Sequence, residues 1–332
     1  MIDFLLDIMR FDSTSGKENE LAKYIYKKYK PRDAGAEIQE TKLGRLNIFF
    51  KWGVPKIIFC SHLDTVPPYI PPSKEKEIIK GRGSCDAKGQ LAYLFECCIQ
   101  LRAEGFNNFG MLMVSGEEDG SQGAYAANAR LNDCEFIFIG EPTENKLIKA
   151  SKGNISIDLS FKGKSCHSGY PHLGDNAITK MFSFIQILEK ADFEEDELLG
   201  RTTYNIGMLE SKNAHNVVPD LVTLKLFLRT TFITHSKIIN YIKNILPEKS
   251  EMKVLYEHLP IKFSIVEGFE TGVVSFGTDA PAFSNIKNKI LYGPGSISDA
   301  HTENEYIKTG DLYKAVEDIK IVYKKIINEN CS

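Results

Sequence analysis

Ile57-Ile58-Phe59-Cys60-Ser61-His62-Leu63-Asp64 has the form of a buried strand that ends in a histidine and a carboxylate. Its four leading apolar residues are too few for a helix, and a strand apolar at every position suits a sheet covered on both faces. Met111-Leu112-Met113-Val114 and Phe136-Ile137-Phe138-Ile139 repeat the pattern. Between the first two of these runs, Leu91, Leu94, Phe95, Cys98 and Leu101 are spaced as one face of a helix laid on that sheet. Short apolar strands alternating with longer amphipathic stretches predict an α/β fold.

The periodicity changes at Lys152-Gly153, where Ile155, Ile157, Leu159 and Phe161 alternate with polar residues as in a strand with one wet face. A helical face over Ile178–Leu188 follows, then strands near Thr203–Leu209 and Leu221–Leu228, a helix near Ser236–Ile245 and a strand near Met252–Tyr256. That β-α-β-β-α-β order is the split arrangement of ferredoxin-like domains. The expected organisation is a mixed-sheet catalytic domain, residues 1–151 plus 258–332, carrying an inserted α+β module over residues 152–257. A terminal helix is expected near Asp311–Ile327.

With 332 residues the chain can hold two cores. Its net charge of −3, with lysines and arginines scattered, builds no field for nucleic acid or an anionic membrane, so neither partner is expected. No apolar run approaches the ~20 residues of a bilayer span. The first residues carry Asp3 and Asp7 where a signal peptide would carry lysines, which predicts a cytoplasmic protein. The seven cysteines, Cys60, Cys85, Cys97, Cys98, Cys134, Cys166 and Cys331, form no C-x-x-C pair and are expected to be reduced and structural. Any metal must then be held by histidines and carboxylates.

Five segments offer such side chains. His62 stands at a strand's carboxyl end, where open α/β sheets place their ligand sites, and the carboxylate of Asp64 lies two residues on, placed to accept the second imidazole N–H. Gly81-Arg82-Gly83-Ser84-Cys85-Asp86 turns on its glycines and sets Asp86 before the Leu91 helix, as a ligand or as that helix's N-cap. Ser115-Gly116-Glu117-Glu118-Asp119 follows another strand, with adjacent acids that repel unless a cation sits among them. Gly140-Glu141-Pro142 follows a third strand, and Ser298-Asp299-Ala300-His301-Thr302 supplies a late histidine. Histidines and carboxylates without thiolates suit borderline divalent cations, zinc foremost.

The chain resembles the two-zinc aminoacylase and carboxypeptidase family that contains acetylornithine deacetylase and succinyl-diaminopimelate desuccinylase. The resemblance spans nearly the whole sequence. It rests on Ser61-His62-Leu63-Asp64-Thr65-Val66-Pro67, Gly81-Arg82-Gly83 with Asp86-Ala87-Lys88-Gly89, Gly116-Glu117-Glu118, Gly140-Glu141-Pro142-Thr143 and Ala300-His301-Thr302, in the family's order. It implies a two-zinc exopeptidase-like catalytic domain, with His62, Asp86 and Glu141 on one cation and Asp86, Glu118 and His301 on the other. Zinc is the expected ion, with cobalt or manganese as substitutes. Glu117 would be the general base, supported by Asp64. The inserted module would be a lid and dimerisation domain that makes a homodimer. In it, Cys166-His167-Ser168-Gly169 resembles the motif whose histidine stabilises the oxyanion in a neighbouring subunit. Asn216 and Arg229 match positions that grip the substrate's carboxylate, and Gly295 and Ser296 match a pocket-lining loop.

The activity so implied is removal of an acetyl or succinyl group from a small N-acyl amino acid such as acetylornithine, acetyl-lysine or succinyl-diaminopimelate, in amino-acid biosynthesis. A dipeptidase or aminopeptidase uses the same chemistry, and a catalytically inactive binding protein would keep only the fold. Ala87, where many relatives carry Met, and Gly169, in place of a small hydroxyl residue, blur the subfamily.

Overall fold

The computed structural model describes residues 1–330, and the chain divides into two compact units. The first comprises Met1–Lys149, Phe263–Gly272 and the chain from Thr278 onward; the second comprises Ala150–Lys262 and Val273–Gly277. The chain therefore returns to the second unit for five residues after leaving it, and the Val274 carbonyl accepts the Lys152 N–H at 3.1 Å there.

The first unit is built on a six-stranded sheet in the order Gly35–Glu40, Leu46–Trp52, Phe109–Val114, Ile57–His62, Phe136–Gly140 and Asn288–Tyr292. The last four run parallel, and the first two are antiparallel, so the sheet is mixed. Ile57–His62 and Phe109–Val114 are buried at every position, as expected for strands enclosed on both faces. The helix Lys88–Ala103 differs from its one-faced expectation. Leu91, Ala92, Tyr93, Leu94, Cys97 and Cys98 are all buried, because the helix packs against both the sheet and the terminal helix Thr309–Asn330.

The second unit is a four-stranded antiparallel sheet in the order Thr203–Glu210, Leu221–Thr230, Gly153–Lys162 and Ser250–His258. The unit's first and third strands in chain order are central, with its second and fourth at the edges, which is the ferredoxin-like arrangement. Ile155, Ile157, Leu159 and Phe161 interdigitate with Val222, Leu224, Leu226 and Leu228, and the helices Ala177–Glu189 and His235–Ile245 close that face. The first of these helices begins at Asn176, whose Oδ1 accepts the N–H groups of Ile178 and Thr179, satisfying donors left free at a helix start.

Six cysteines, from Cys60 to Cys166, are free thiols, and Cys331 lies outside the described residues. Among the described residues no helix is long and apolar enough to cross a membrane.

Candidate metal centre

Three parallel strands end at one place. Ile57–His62 carries His62, Phe109–Val114 leads into Glu117 and Glu118, and Phe136–Gly140 is followed at once by Glu141. Loops from two other parts of the first unit bring Asp86 and His301 to the same point. His62 Nε2 lies 3.1 Å from Asp86 Oδ1, and His301 Nε2 lies 3.2 Å from Asp86 Oδ2 and 2.9 Å from Glu118 Oε1. Asp86 thus presents one oxygen to each histidine. Donor atoms of His62, Asp86 and Glu141 fall within 4.8 Å of one another, as do those of Asp86, Glu118 and His301, and those of His62, Glu117 and Glu118. His62, Asp86 and Glu141 are buried, and Glu117 and Glu118 are partly exposed.

Asp64 acts differently from its expected carboxylate contact to the histidine. The His62 Nδ1 faces the Asp64 main-chain carbonyl at 2.9 Å, with the nearest carboxylate oxygen at 3.6 Å. A carbonyl only accepts, so Nδ1 carries a proton toward it, and Nε2 is the nitrogen that faces Asp86. The Asp64 carboxylate instead accepts the N–H groups of Glu117 at 3.1 Å and Glu118 at 3.2 Å and the Ser15 hydroxyl at 2.8 Å, holding the acidic loop. Nor is Asp86 a helix cap: the N-cap position of Lys88–Ala103 falls on Ala87 and receives no side-chain bond.

The electrostatics describe a site short of positive charge. Burial pushes the Glu117 carboxyl well above its ordinary value, and Glu141, Asp279 and Glu118 add to this against the opposing charge of His62. Burial raises Glu141 too, reinforced by Asp86. Asp279, 2% exposed with one unpartnered oxygen, is pushed up to about 7 chiefly by burial. Burial alone would raise Asp86, but hydrogen bonds from His301 and His62 outweigh it and hold this carboxyl low. The hydrogen bonds that His301 donates to Asp86 and Glu118 lift it to about 10. Two histidine nitrogens converging on one carboxylate, among carboxyls that resist ionising together, match what a divalent cation neutralises; histidine with carboxylate and no thiolate suits a hard or borderline ion.

Two groups stand behind these residues in roles that the sequence did not mark, although Arg82 falls within Gly81-Arg82-Gly83. Arg82 and Glu305, each 1% exposed, form a buried ion pair at 2.6 Å behind Asp86. Arg45 stands behind Gly116, where an added Cβ would come within 2.2 Å of its Nη1, and pairs with Asp119 at 2.5 Å.

Gly295 and Ser296 lie in the first unit and line a cavity of about 210 Å³ with Glu144, Asn145, Asp299 and Tyr306. The Ser296 hydroxyl donates to Glu144 at 3.1 Å. His167, Asn216 and Arg229 lie in the second unit. There His167 is exposed, its Nδ1 accepts the Gly169 N–H at 3.1 Å, and the neighbouring Ser168 N–H donates to the Asn216 carbonyl at 3.0 Å. The Arg229 guanidinium lies over the Phe227 ring, 4.6 Å from its centroid.

A family model described as a peptidase dimerisation domain matches residues 149–253. Over 99% of this chain and 84% of the relative, the sequence is 32% identical to a peptidase M20 domain-containing protein of Schizosaccharomyces pombe. A protein of Aspergillus flavus named probable carboxypeptidase is 31% identical over 98% of this chain and 89% of its own. Among solved structures, a tripeptidase from Staphylococcus aureus superposes with a TM-score of 0.80 at 21% identity, covering 96% of this chain and 95% of the other. A Bacillus subtilis protein titled a dinuclear metal binding peptidase from the M20 family does so with a TM-score of 0.72 at 14% identity, covering 96% and 95%.

Proposed function

This chain belongs to the M20 peptidase family, and on that premise we propose that it is a two-cation hydrolase cleaving the amide bond of a small N-acyl amino acid. The observation that carries the reading is Asp86, which offers one carboxylate oxygen to His62 and the other to His301. On this reading His62, Asp86 and Glu141 hold one divalent cation, zinc foremost, and Asp86, Glu118 and His301 the other. Two such cations, when bound, polarise the scissile carbonyl and make water acidic enough to attack near neutral pH.

The remaining work falls to side chains. Glu117 takes a proton from the attacking water as its oxygen bonds to the carbonyl carbon, and delivers it to the amine nitrogen as the C–N bond breaks. The products are a carboxylate and a free amine. Asp64 keeps Glu117 and Glu118 in register through their N–H groups, so that base and ligand stay adjacent. For the assembled enzyme we assign oxyanion stabilisation to His167 and grip on the substrate carboxylate to Asn216 and Arg229, for which a guanidinium fork is suited. Gly295 and Ser296 are assigned to substrate contact. The dimerisation-domain match supports a homodimer, and we assign the enzyme to the cytoplasm.

The acyl group is acetyl or succinyl in the deacylase reading. The Aspergillus flavus relative, named a probable carboxypeptidase, favours a second reading, in which the acyl group is itself a peptide and the enzyme is a carboxypeptidase. Both break the same bond. Assays of acetylornithine, acetyl-lysine, succinyl-diaminopimelate and short peptides side by side, with and without chelator, separate them. Glu117→Gln should keep the cation content near wild type and lower turnover by about 10²- to 10⁴-fold. Wild-type turnover in that variant, or turnover indifferent to chelator, overturns the proposal.

A further inference from the structure

We infer that Glu305 is a positioning residue whose carboxylate fixes the main chain of the loop carrying Asp86, and so sets where the shared carboxylate of the two candidate cation sites points. The inference rests on the proposed function for the role of Asp86.

One oxygen of Glu305 accepts three main-chain N–H groups, from Gly83 at 2.9 Å, Cys85 at 3.0 Å and Asp86 at 3.1 Å. Its other oxygen takes the Arg82 Nη1 at 2.6 Å, and its main-chain carbonyl takes the Gly81 N–H at 2.9 Å. Gly81 at φ +125° and Gly83 at φ +85° adopt backbone conformations that few other residues share, which let the loop wind around a single acceptor. Arg82 extends the same clamp. Its Nε donates to the Pro68 carbonyl and its Nη1 to the Thr302 carbonyl, each at 3.2 Å, and Thr302 directly follows His301. The pair therefore ties the Asp86 loop to the segment that bears His301.

A carboxylate is required here because it is an acceptor at both oxygens. Glutamine would turn an amide NH₂ toward either Arg82 or the N–H cluster, leaving buried donors unpaired. Stability alone does not account for the arrangement, since a buried ion pair can often be exchanged for well-packed apolar residues at no loss. Aiming three N–H groups at one point is what the carboxylate adds, and partners behind a ligand govern its orientation and its affinity for the ion.

The test compares full-length wild type, Glu305→Gln and Glu305→Asp. Amide hydrogen exchange is followed in chelator-treated protein, zinc affinity by competition with a chromophoric chelator, and kcat and KM on the substrate found active. Glu305→Gln should exchange faster in a peptide spanning residues 81–89 than wild type, with little change over residues 115–120, which Asp64 holds. Zinc affinity should fall by about 10- to 100-fold. The drop in kcat should exceed any change in KM, and Glu305→Asp should recover part of each. Unaltered zinc affinity, or exchange that rises evenly over both loops in step with a lower melting temperature, overturns the inference. If Glu305→Gln does not fold, the Asp variant carries the same comparison. A wild-type chain that binds no zinc overturns the proposed function instead, and the exchange measurement still decides whether Glu305 holds the loop.

Discussion

In the first unit Ile57–His62 and Phe109–Val114 bury every side chain, whereas in the second Gly153–Lys162 and Leu221–Thr230 bury every other one. Enclosed strands have no free face, so polar chemistry collects beyond their carboxyl ends, and it does so at His62, Glu117, Glu118 and Glu141. Strands with one open face need no such concentration. The charge follows the same division. His62, Asp64, Arg82, Asp86, Lys88, Glu141, Asp279 and Glu305 are buried in the first unit, while Lys152, Asp196 and His235 are the buried ionisable residues described in the second. One unit has its charges arranged around a point; the other is held together by alternation.

That division can be broken by moving one residue in each unit. Asp86→Ala removes the carboxylate shared by both candidate sites, and turnover should fall by more than the ~10⁴-fold at the upper end of general-base loss. Bound zinc should be lost with it, while exchange of the Gly153–Lys162 strand stays at the wild-type rate. Elemental analysis beside hydrogen exchange makes the comparison. Phe161→Ala should do the reverse. Phe161 is fully buried with its ring 5.5 Å from that of Phe184, and its truncation should cost about 3–5 kcal/mol in denaturant unfolding of the second unit. Zinc content should remain. If Asp86→Ala loosened the second unit, or Phe161→Ala emptied the first, the two would be one cooperative body.

The two units were also unequally legible. Alternation over Ile155–Phe161 and the helical spacing from Ile178 to Leu188 located the second unit's elements to within a few residues, because one wet face leaves a periodic trace. In the first unit the short apolar runs marked the strands, and the histidine and acids directly after them marked the site. The helix over Leu91–Leu101 was harder, since a helix buried on nearly all sides has little amphipathic signal to show. Glu305 left none, and Arg82 showed only as part of Gly81-Arg82-Gly83, with nothing to mark its partner. They meet across 223 positions, and a single buried pair has no period, spacing or neighbouring motif that points from one to the other. Asp64 is marked by its place two residues after His62, yet its carboxylate contacts the acidic loop rather than the imidazole, because a bend at Leu63 brings the main-chain carbonyl closer to Nδ1.

The smallest effect sharpens the comparison within the first unit, between carboxyls at the centre and one on its flank. Burial raises Asp7 too, but there the Lys28 ammonium and the hydroxyls of Tyr24 and Tyr29 more than offset it, and the carboxyl falls to about 2. A carboxyl held below its unfolded value of 3.8 adds stability that is fully present above that value and is lost as pH falls through the folded one. Asp7→Asn should therefore lower stability at pH 6 by on the order of 1 kcal/mol, a figure reduced for screening near the surface. The gap between variant and wild type should narrow from about pH 4 downward and close only below about pH 2. Urea midpoints measured across that range give the answer. A gap that stayed constant with pH would mean that the two tyrosines and the lysine stabilise the helices by packing alone. In that case the cluster would owe nothing to the charge of Asp7, and the flank of the first unit would resemble the second unit more than its own centre.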